Sequence, residues 1–246
     1  MTKIERFKAI DKCLFWKEKK ILIVGDLHLG YENYLHERGW SFPKTLLEDT
    51  LIELEKILDK TGKLKEIVLL GDVKHYFSGI LQEEFSDVFK VIELLLKYCE
   101  KIVITKGNHD NILEPITRKY KEIELVDKYV VEDTIFLHGN KQNIKANLLN
   151  LYDRKVKLIV IGHIHPAIFL KEAGKIERYK AFLYGKDKKL KKKMIVVPSF
   201  FVLNEGINVV DKPEIDNFDF SNFNCYLVAD KVYDFKKIKN IKSIDN

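Results

Sequence analysis

Five short stretches gather the side chains best suited to hold a divalent cation. They are Asp26 and His28 in GDLHLG, Asp72 in GDVKH, Asn108 and His109 in GNHD, His138 in HGN, and His163 with His165 in GHIHP. Imidazole and carboxylate donors without a thiolate select borderline ions such as Mn²⁺, Fe²⁺, Co²⁺, Ni²⁺ or Zn²⁺. The donors outnumber the needs of one ion, so two are expected. Two cations about 3.5–4 Å apart, sharing a carboxylate and a hydroxide, clamp the attacking and leaving oxygens of an in-line displacement at phosphorus. The shared hydroxide is the expected nucleophile, because a water held between two cations loses its proton far more readily than bulk water. Residues two apart on an extended segment point the same way, so Asp26 and His28 are expected to reach one ion, and His163 with His165 to repeat that geometry.

Each stretch alone has an ordinary explanation. Gly-Asp after a strand is a common turn, Asn-His-Asp can cap a helix, and a lone His is more often structural than a ligand. Together they resist that explanation. His28, His109, His138, His163 and His165 are five of the seven histidines, and they keep company with Asp26, Asp72 and Asn108. Gathering such groups at one edge of a core is costly unless something binds them.

The elements that must position these residues are short apolar runs. Residues 21–24, 67–70, 102–105, 135–137 and 158–161 are rich in Ile, Val and Leu, and each is closed by one of the five stretches. Such runs read as strands buried on both faces. Between the first two, Ser41 and Pro43 supply an N-cap and a first-turn proline, and Leu47, Leu51, Leu54 and Leu58 repeat at helical spacing up to Gly62. Between the second and third, Phe85, Val88, Phe89, Ile92, Leu95, Leu96 and Cys99 form another apolar stripe. Strand and helix alternate, which predicts an α/β fold (α+β by some schemes) whose site lies beyond the carboxyl ends of the strands. Further strands are expected at 168–170, 176–183, 194–197 and 225–228, with a lysine-rich turn around 186–193 and a loop-rich final stretch from Asn204.

No linker, repeat or low-complexity tract divides the 246 residues, so one domain over 1–246 is expected. The sequence is 46% hydrophobic and 33% charged, without an apolar run long enough to span a bilayer or a leader-like apolar core at its start; a soluble, cytoplasmic protein with no membrane partner is expected. Cys13, Cys99 and Cys225 are too few and too scattered for a disulfide framework and read as small hydrophobes. The formal charge of +6 suits either simple solubility or a polyanionic partner.

The order of these motifs resembles that of the calcineurin-like metallophosphoesterases: DxH, GD, GNH followed by an acidic residue, a His after a strand, then GHxH. Asp26 and His28, Gly71 and Asp72, Gly107 to Asp110, His138, and Gly162 to His165 carry the match over residues 25–166. The resemblance implies a four-layer αββα sandwich with two mixed sheets. It implies one ion on Asp26, His28, Asp72 and His165 and another on Asp72, Asn108, His138 and His163, with Asp72 as the bridge. His109 would be the catalytic histidine, and Asn108 with His109 would meet the substrate phosphate. Two positions depart from the family pattern. His75 stands where many members carry an acidic residue that orients the catalytic His; it is either a substrate-phosphate contact or an exposed structural residue. Asn140 stands where many carry a His, which leaves the metals intact and alters the substrate pocket. GDLHLGYE, GDVKH and PSFFVLNEG look most like a prokaryotic subgroup of phosphoesterases, some associated with DNA ligase and helicase genes.

The leading expectation is therefore a phosphoesterase using two divalent ions, Mn²⁺ first among them, on a phosphodiester. A nuclease or repair-associated enzyme is the alternative, drawn from Lys186, Lys188, Lys189, Lys191, Lys192 and Lys193 beside Tyr184 as a candidate nucleic-acid contact. A catalytically silent scaffold is a third reading, which the complete ligand set opposes.

Overall fold

The computed structural model describes residues 2–40, 45–76, 82–110, 112–172, 175–203 and 206–242. Its first sheet has seven strands in chain order: β1 (Lys3–Ile4), β2 (Phe7–Ile10), β3 (Cys13–Trp16), β4 (Ile21–Val24), β5 (Leu64–Leu69), β6 (Cys99–Thr105) and β7 (Ile123–Val126). The first four run as an antiparallel meander, and β4 to β7 are parallel. The connections in the parallel half carry helices, as crossovers require: α1 (Tyr31–Glu37) and α2 (Leu46–Thr61), then α3 (Gln82–Leu96), then α4 (Glu114–Thr117).

The second sheet begins with β8 (Tyr129–Val131) and β9 (Thr134–Leu137), followed by α5 (Lys141–Ala146), α6 (Leu148–Tyr152) and β10 (Leu158–Ile161). It is completed by β11 (Pro166–Glu172), β12 (Lys175–Lys186), β13 (Lys193–Val196) and β14 (Ile207–Asn208), in the order β14-β11-β12-β13-β10-β9-β8. A small hairpin of β15 (Glu214–Ile215) and β16 (Phe218–Asp219) follows, and β17 (Asn224–Val228) and β18 (Val232–Lys237) extend the sheet from β12. This is the two-sheet sandwich expected from the motifs.

Side-chain alternation along the strands sets the layers. Ile21, Ile23, Val68 and Val103 of the first sheet face Phe136, Leu158, Val160 and Ile195 of the second, forming the buried middle. On the other face of the first sheet, Leu22, Val24, Ile67, Leu69, Ile102 and Ile104 pack against Leu54, Ile57 and Leu58 of α2 and Val88, Ile92 and Leu95 of α3. The outer face of the second sheet is covered by Leu151 of α6 together with Phe218, Phe220 and Phe223, so irregular chain supplies much of the fourth layer.

Several expectations are refined. Helix α2 ends at Gly62, which has φ 67 and closes the helix by donating to the Leu58 carbonyl. Its expected cap, Ser41 and Pro43, lies outside the described residues, as do Asn204 and Glu205 of PSFFVLNEG. Cys99 opens β6 and is not part of the α3 stripe. Cys13 and Cys225 are buried and Cys99 half-buried, all as free thiols. Among the described residues no helix is long and apolar enough to cross a membrane.

Candidate metal centre

Parallel register brings the polar stretches together. Val24 pairs with Leu69, Leu69 with Ile104, and Ile161 with both Leu137 and Val196, so β4, β5, β6, β9, β10 and β13 all end at one edge. There Asp26, His28 and His165 offer ligand atoms within 4.8 Å of one another, and Asp72, His138 and His163 do the same. Asn108 Oδ1 joins the second group, 3.1 Å from His138 Nε2. The seven residues expected as ligands are thus brought together. Asp72 lies between the groups, its Oδ2 3.4 Å from His138 Nε2 and 3.9 Å from His28 Nε2.

The local backbone differs from the extended segments expected. His28 (φ 47), Asp72 (φ 47), His163 (φ 62) and His165 (φ 48) all occupy the left-handed region, an uncommon and costly conformation for residues other than glycine. Asp26 and His28 do converge on one group, but through a turn. His163 and His165 do not converge: Ile164 N donates to Gly162 O at 2.7 Å, and the tight turn sends the two imidazoles to different groups. Two glycines are fixed by the same crowding. A Cβ on Gly107 would lie 2.2 Å from Asp72 Oδ1, and one on Gly162 would lie 2.7 Å from Asp26 Oδ2.

Hydrogen bonds decide which ring atom faces the site. His138 Nδ1 donates to Leu70 O at 2.7 Å, which leaves Nε2, facing the oxygens of Asn108 and Asp72, as the ring atom a cation would take. His109 Nδ1 donates to the backbone carbonyl of His75. That carbonyl does the orienting expected of an acidic side chain at position 75. The His75 ring is half-buried, stacks on His109 with centroids 5.3 Å apart, and lies 3.4 Å from His28 between Nδ1 atoms. Burial, His109 and Lys74 hold its pKa down to about 4, so it is a neutral ring at neutral pH and not an exposed residue. Asn140 caps α5, accepting from Asn143 N at 2.9 Å.

Burial and neighbouring charge move the candidate ligands in different directions. Burial pushes the His28 pKa well below its ordinary value, with His165 adding to the effect, and burial with His138 lowers His163. Burial alone would lower His138, but Asp72 and Asp26 outweigh it and raise it. Burial alone would raise Asp26, but His165, His138 and His28 hold it below the ordinary carboxylate range. The donor set fits divalent ions.

A model of the family described as calcineurin-like phosphoesterase matches residues 19–228. The chain belongs to that family. It is a metal-dependent phosphoester hydrolase by that membership. Among solved structures, a Pseudomonas putida nuclease MPE is similar at TM-score 0.64 and 19% identity, covering 93% of this chain and 100% of that one. A protein of unknown function from Aquifex aeolicus is similar at TM-score 0.42 and 17% identity over 63% of this chain and 81% of its own, and the E. coli phosphoesterase YfcE at 0.38 and 14% over 91% and 96%. No curated protein sequence gives a match.

Several groups outside the candidate ligand set brace this site. Buried Asp110 accepts from Gly107 N and Val73 N, at 2.9 and 3.0 Å, and so ties the GNHD loop to the GD loop; burial and Asp72 raise its pKa to about 6. The Asp26 carbonyl accepts from Ser199 Oγ, Phe200 N and Phe201 N at 3.0, 2.9 and 3.1 Å. The Lys180 ammonium in turn donates to the carbonyls of Ser199 and Phe201, and Lys12 to that of Phe200. Asp216 contacts His163, Nε2 to Oδ2, at 2.9 Å.

The lysine-rich turn is placed differently from the ligands. Lys186 pairs with Lys193, and Lys193 pairs with neither β10's ligand end nor its neighbour but with Leu158, at the start of β10. Lys188 meets Asp219 at 2.6 Å, Lys189 donates to Asn217 O at 3.0 Å, Lys192 to Asp153 O at 2.7 Å, and Lys193 meets Glu5 at 3.2 Å. These contacts favour a structural role for the turn.

Proposed function

We propose that this phosphoesterase hydrolyses a phosphodiester with the help of two divalent ions, Mn²⁺ foremost. One would be held by Asp26, His28, Asp72 and His165, the other by Asp72, Asn108, His138 and His163. The observation that carries this reading is the position of Asp72 Oδ2, within 3.9 Å of a nitrogen in each imidazole-carboxylate group. When bound, two such ions supply Lewis-acid stabilisation of the phosphate and an activated water. The chain's own residues do the rest. His109, oriented through its Nδ1 by the His75 carbonyl, keeps Nε2 for proton delivery to the leaving oxygen. Asn108 and His109 would meet the phosphate, with the His75 ring packed beside them. We take residues 1–246 as one domain and the cytoplasm as its location.

A nucleic acid as the phosphodiester is the second reading, favoured by the fold shared with a nuclease at TM-score 0.64. A silent scaffold is disfavoured, because the seven candidate ligands lie close together.

The test is hydrolysis of mono-, di- and cyclic phosphate esters and of single- and double-stranded DNA by chelated protein, before and after each divalent metal. Diester hydrolysis that disappears on chelation and returns with Mn²⁺ is the expected result. Full activity in verified metal-free protein would overturn the reading.

A further inference from the structure

The hydrolytic chemistry leaves one feature beside His109 unused, a chain of aromatic rings leading away from the metal centre. His75 stacks on His109, and Tyr31 and Tyr34 of α1 approach the His75 ring at 4.6 and 5.0 Å between centroids. Tyr76 continues beyond Tyr34 at 6.1 Å, and Phe201 closes the chain back to Tyr31 at 5.1 Å and to His28 at 5.9 Å. Tyr31, Tyr34, His75 and Tyr76 are half-buried, not sealed in a core. The Arg38 guanidinium lies 4.5 Å from the centre of the Tyr34 ring.

We propose that Tyr31 and Tyr34 form a stacking site for the base of a nucleotide whose scissile phosphate lies at the metal centre. This rests on the phosphodiesterase reading and names its substrate class. Three observations carry it. The rings begin at His109, the residue placed to protonate the leaving oxygen, so they flank the leaving group; in a nucleotide diester that group carries its base one sugar away. The rings are joined by polar-edged partners, tyrosine hydroxyls, imidazole and a guanidinium, which suits a flat heteroaromatic ligand better than an acyl chain. The lysine-rich turn lies at the opposite strand end, where Lys193 pairs with Leu158, and its lysines meet Asp219, Asn217, Asp153 and Glu5, so stacking on aromatic rings is the sequence-tolerant source of nucleotide affinity beside the metal centre.

The test uses the Mn²⁺-loaded full chain and two probes measured by calorimetry, a deoxynucleoside monophosphate and glycerol 3-phosphate. Both present a phosphate, and only the first presents a base. The parent should bind the nucleotide more tightly, and Tyr31→Leu or Tyr34→Leu, which keeps apolar volume but removes the π face, should each cost about tenfold for the nucleotide and leave glycerol 3-phosphate unchanged. Tyr31→Phe and Tyr34→Phe should retain the parent's preference. Equal binding of the two probes by the parent, or equal losses for both in the Leu variants, would overturn the stacking site. A preference for glycerol 3-phosphate would point to a lipid-derived ester instead and overturn it too. Intact nucleotide binding without hydrolysis of any diester would count against the phosphodiesterase reading and leave the stacking site standing.

Discussion

His163 and Asp216, 53 residues apart in sequence, meet with imidazole Nε2 2.9 Å from carboxylate Oδ2. Asp216 is delivered by the β15–β16 hairpin, where it and Asn217 both have positive φ, 49 and 73, and Lys141 holds its other oxygen at 3.2 Å. A proton on Nε2 donated to Asp216 leaves Nδ1 as the ring's only lone-pair donor, the arrangement by which a carboxylate orients a metal-binding His.

Asp216 is therefore expected to act as a positioning residue. Asp216→Ala should weaken one of two metal sites by roughly 10- to 100-fold and spare the other, while Asp216→Asn, which keeps an acceptor, should fall between. Calorimetric metal titration separates the sites. Two unchanged affinities would reduce the contact to a hairpin anchor.

His109→Ala should retain both ions and slow turnover, more for alkoxide leaving groups than for nitrophenolate, which needs little protonation. The comparison is a set of kcat/KM values across leaving groups. A uniform loss would make His109 a charge stabiliser rather than a proton donor.

Metal binding should release protons near neutral pH. Asp72 and Asp26 overcome burial and raise the His138 pKa, so the metal-free chain keeps this proton to higher pH than a free imidazole does, and an incoming cation must displace it. The sign follows: this charged form stabilises the metal-free fold below the ordinary imidazole pKa, and that contribution is lost as pH rises through the raised value. Metal affinity should therefore climb with pH over that window. Calorimetry in buffers of different ionisation enthalpy reads the protons directly, and none released at pH 6.5 would contradict the account.

Replacing Lys188, Lys189, Lys192 and Lys193 by Gln should leave the salt dependence of DNA binding unchanged and lower the melting temperature, because their ammonium groups hold protein oxygens. A salt slope flattened by about 0.7–0.9 per lysine would restore the turn as a nucleic-acid contact.

The convergence of the candidate ligands was legible because each follows a short apolar run whose period announces a buried strand, and the fold places such strand ends together. What orients them was not. The Leu70 and His75 carbonyls carry no side-chain signal, and Asp216 arrives from a hairpin whose pairing depends on tertiary contacts. Extended backbone was the wrong expectation at His163 and His165, because left-handed backbone at a non-glycine residue leaves only a weak mark in sequence, an enrichment of Asn, Asp and His. The β1–β3 meander was hidden for a related reason: its turns put Glu5 and Asp11 at φ 56 and 52, without the Gly or Asn that marks a hairpin. By contrast, Gly107 and Gly162 were visible, and the carboxylates of Asp72 and Asp26 lying where their Cβ atoms would be explain why they are glycine.

On the proposed reading, Asp72 serves two cations at once. Metal analysis of chelated and reloaded chain tests it directly, comparing the parent with Asp72→Asn and His28→Ala. Two Mn²⁺ per parent chain are expected, with weakened binding at both sites in Asp72→Asn and weakening chiefly at one in His28→Ala. Two ions retained at parental affinity by Asp72→Asn would contradict it.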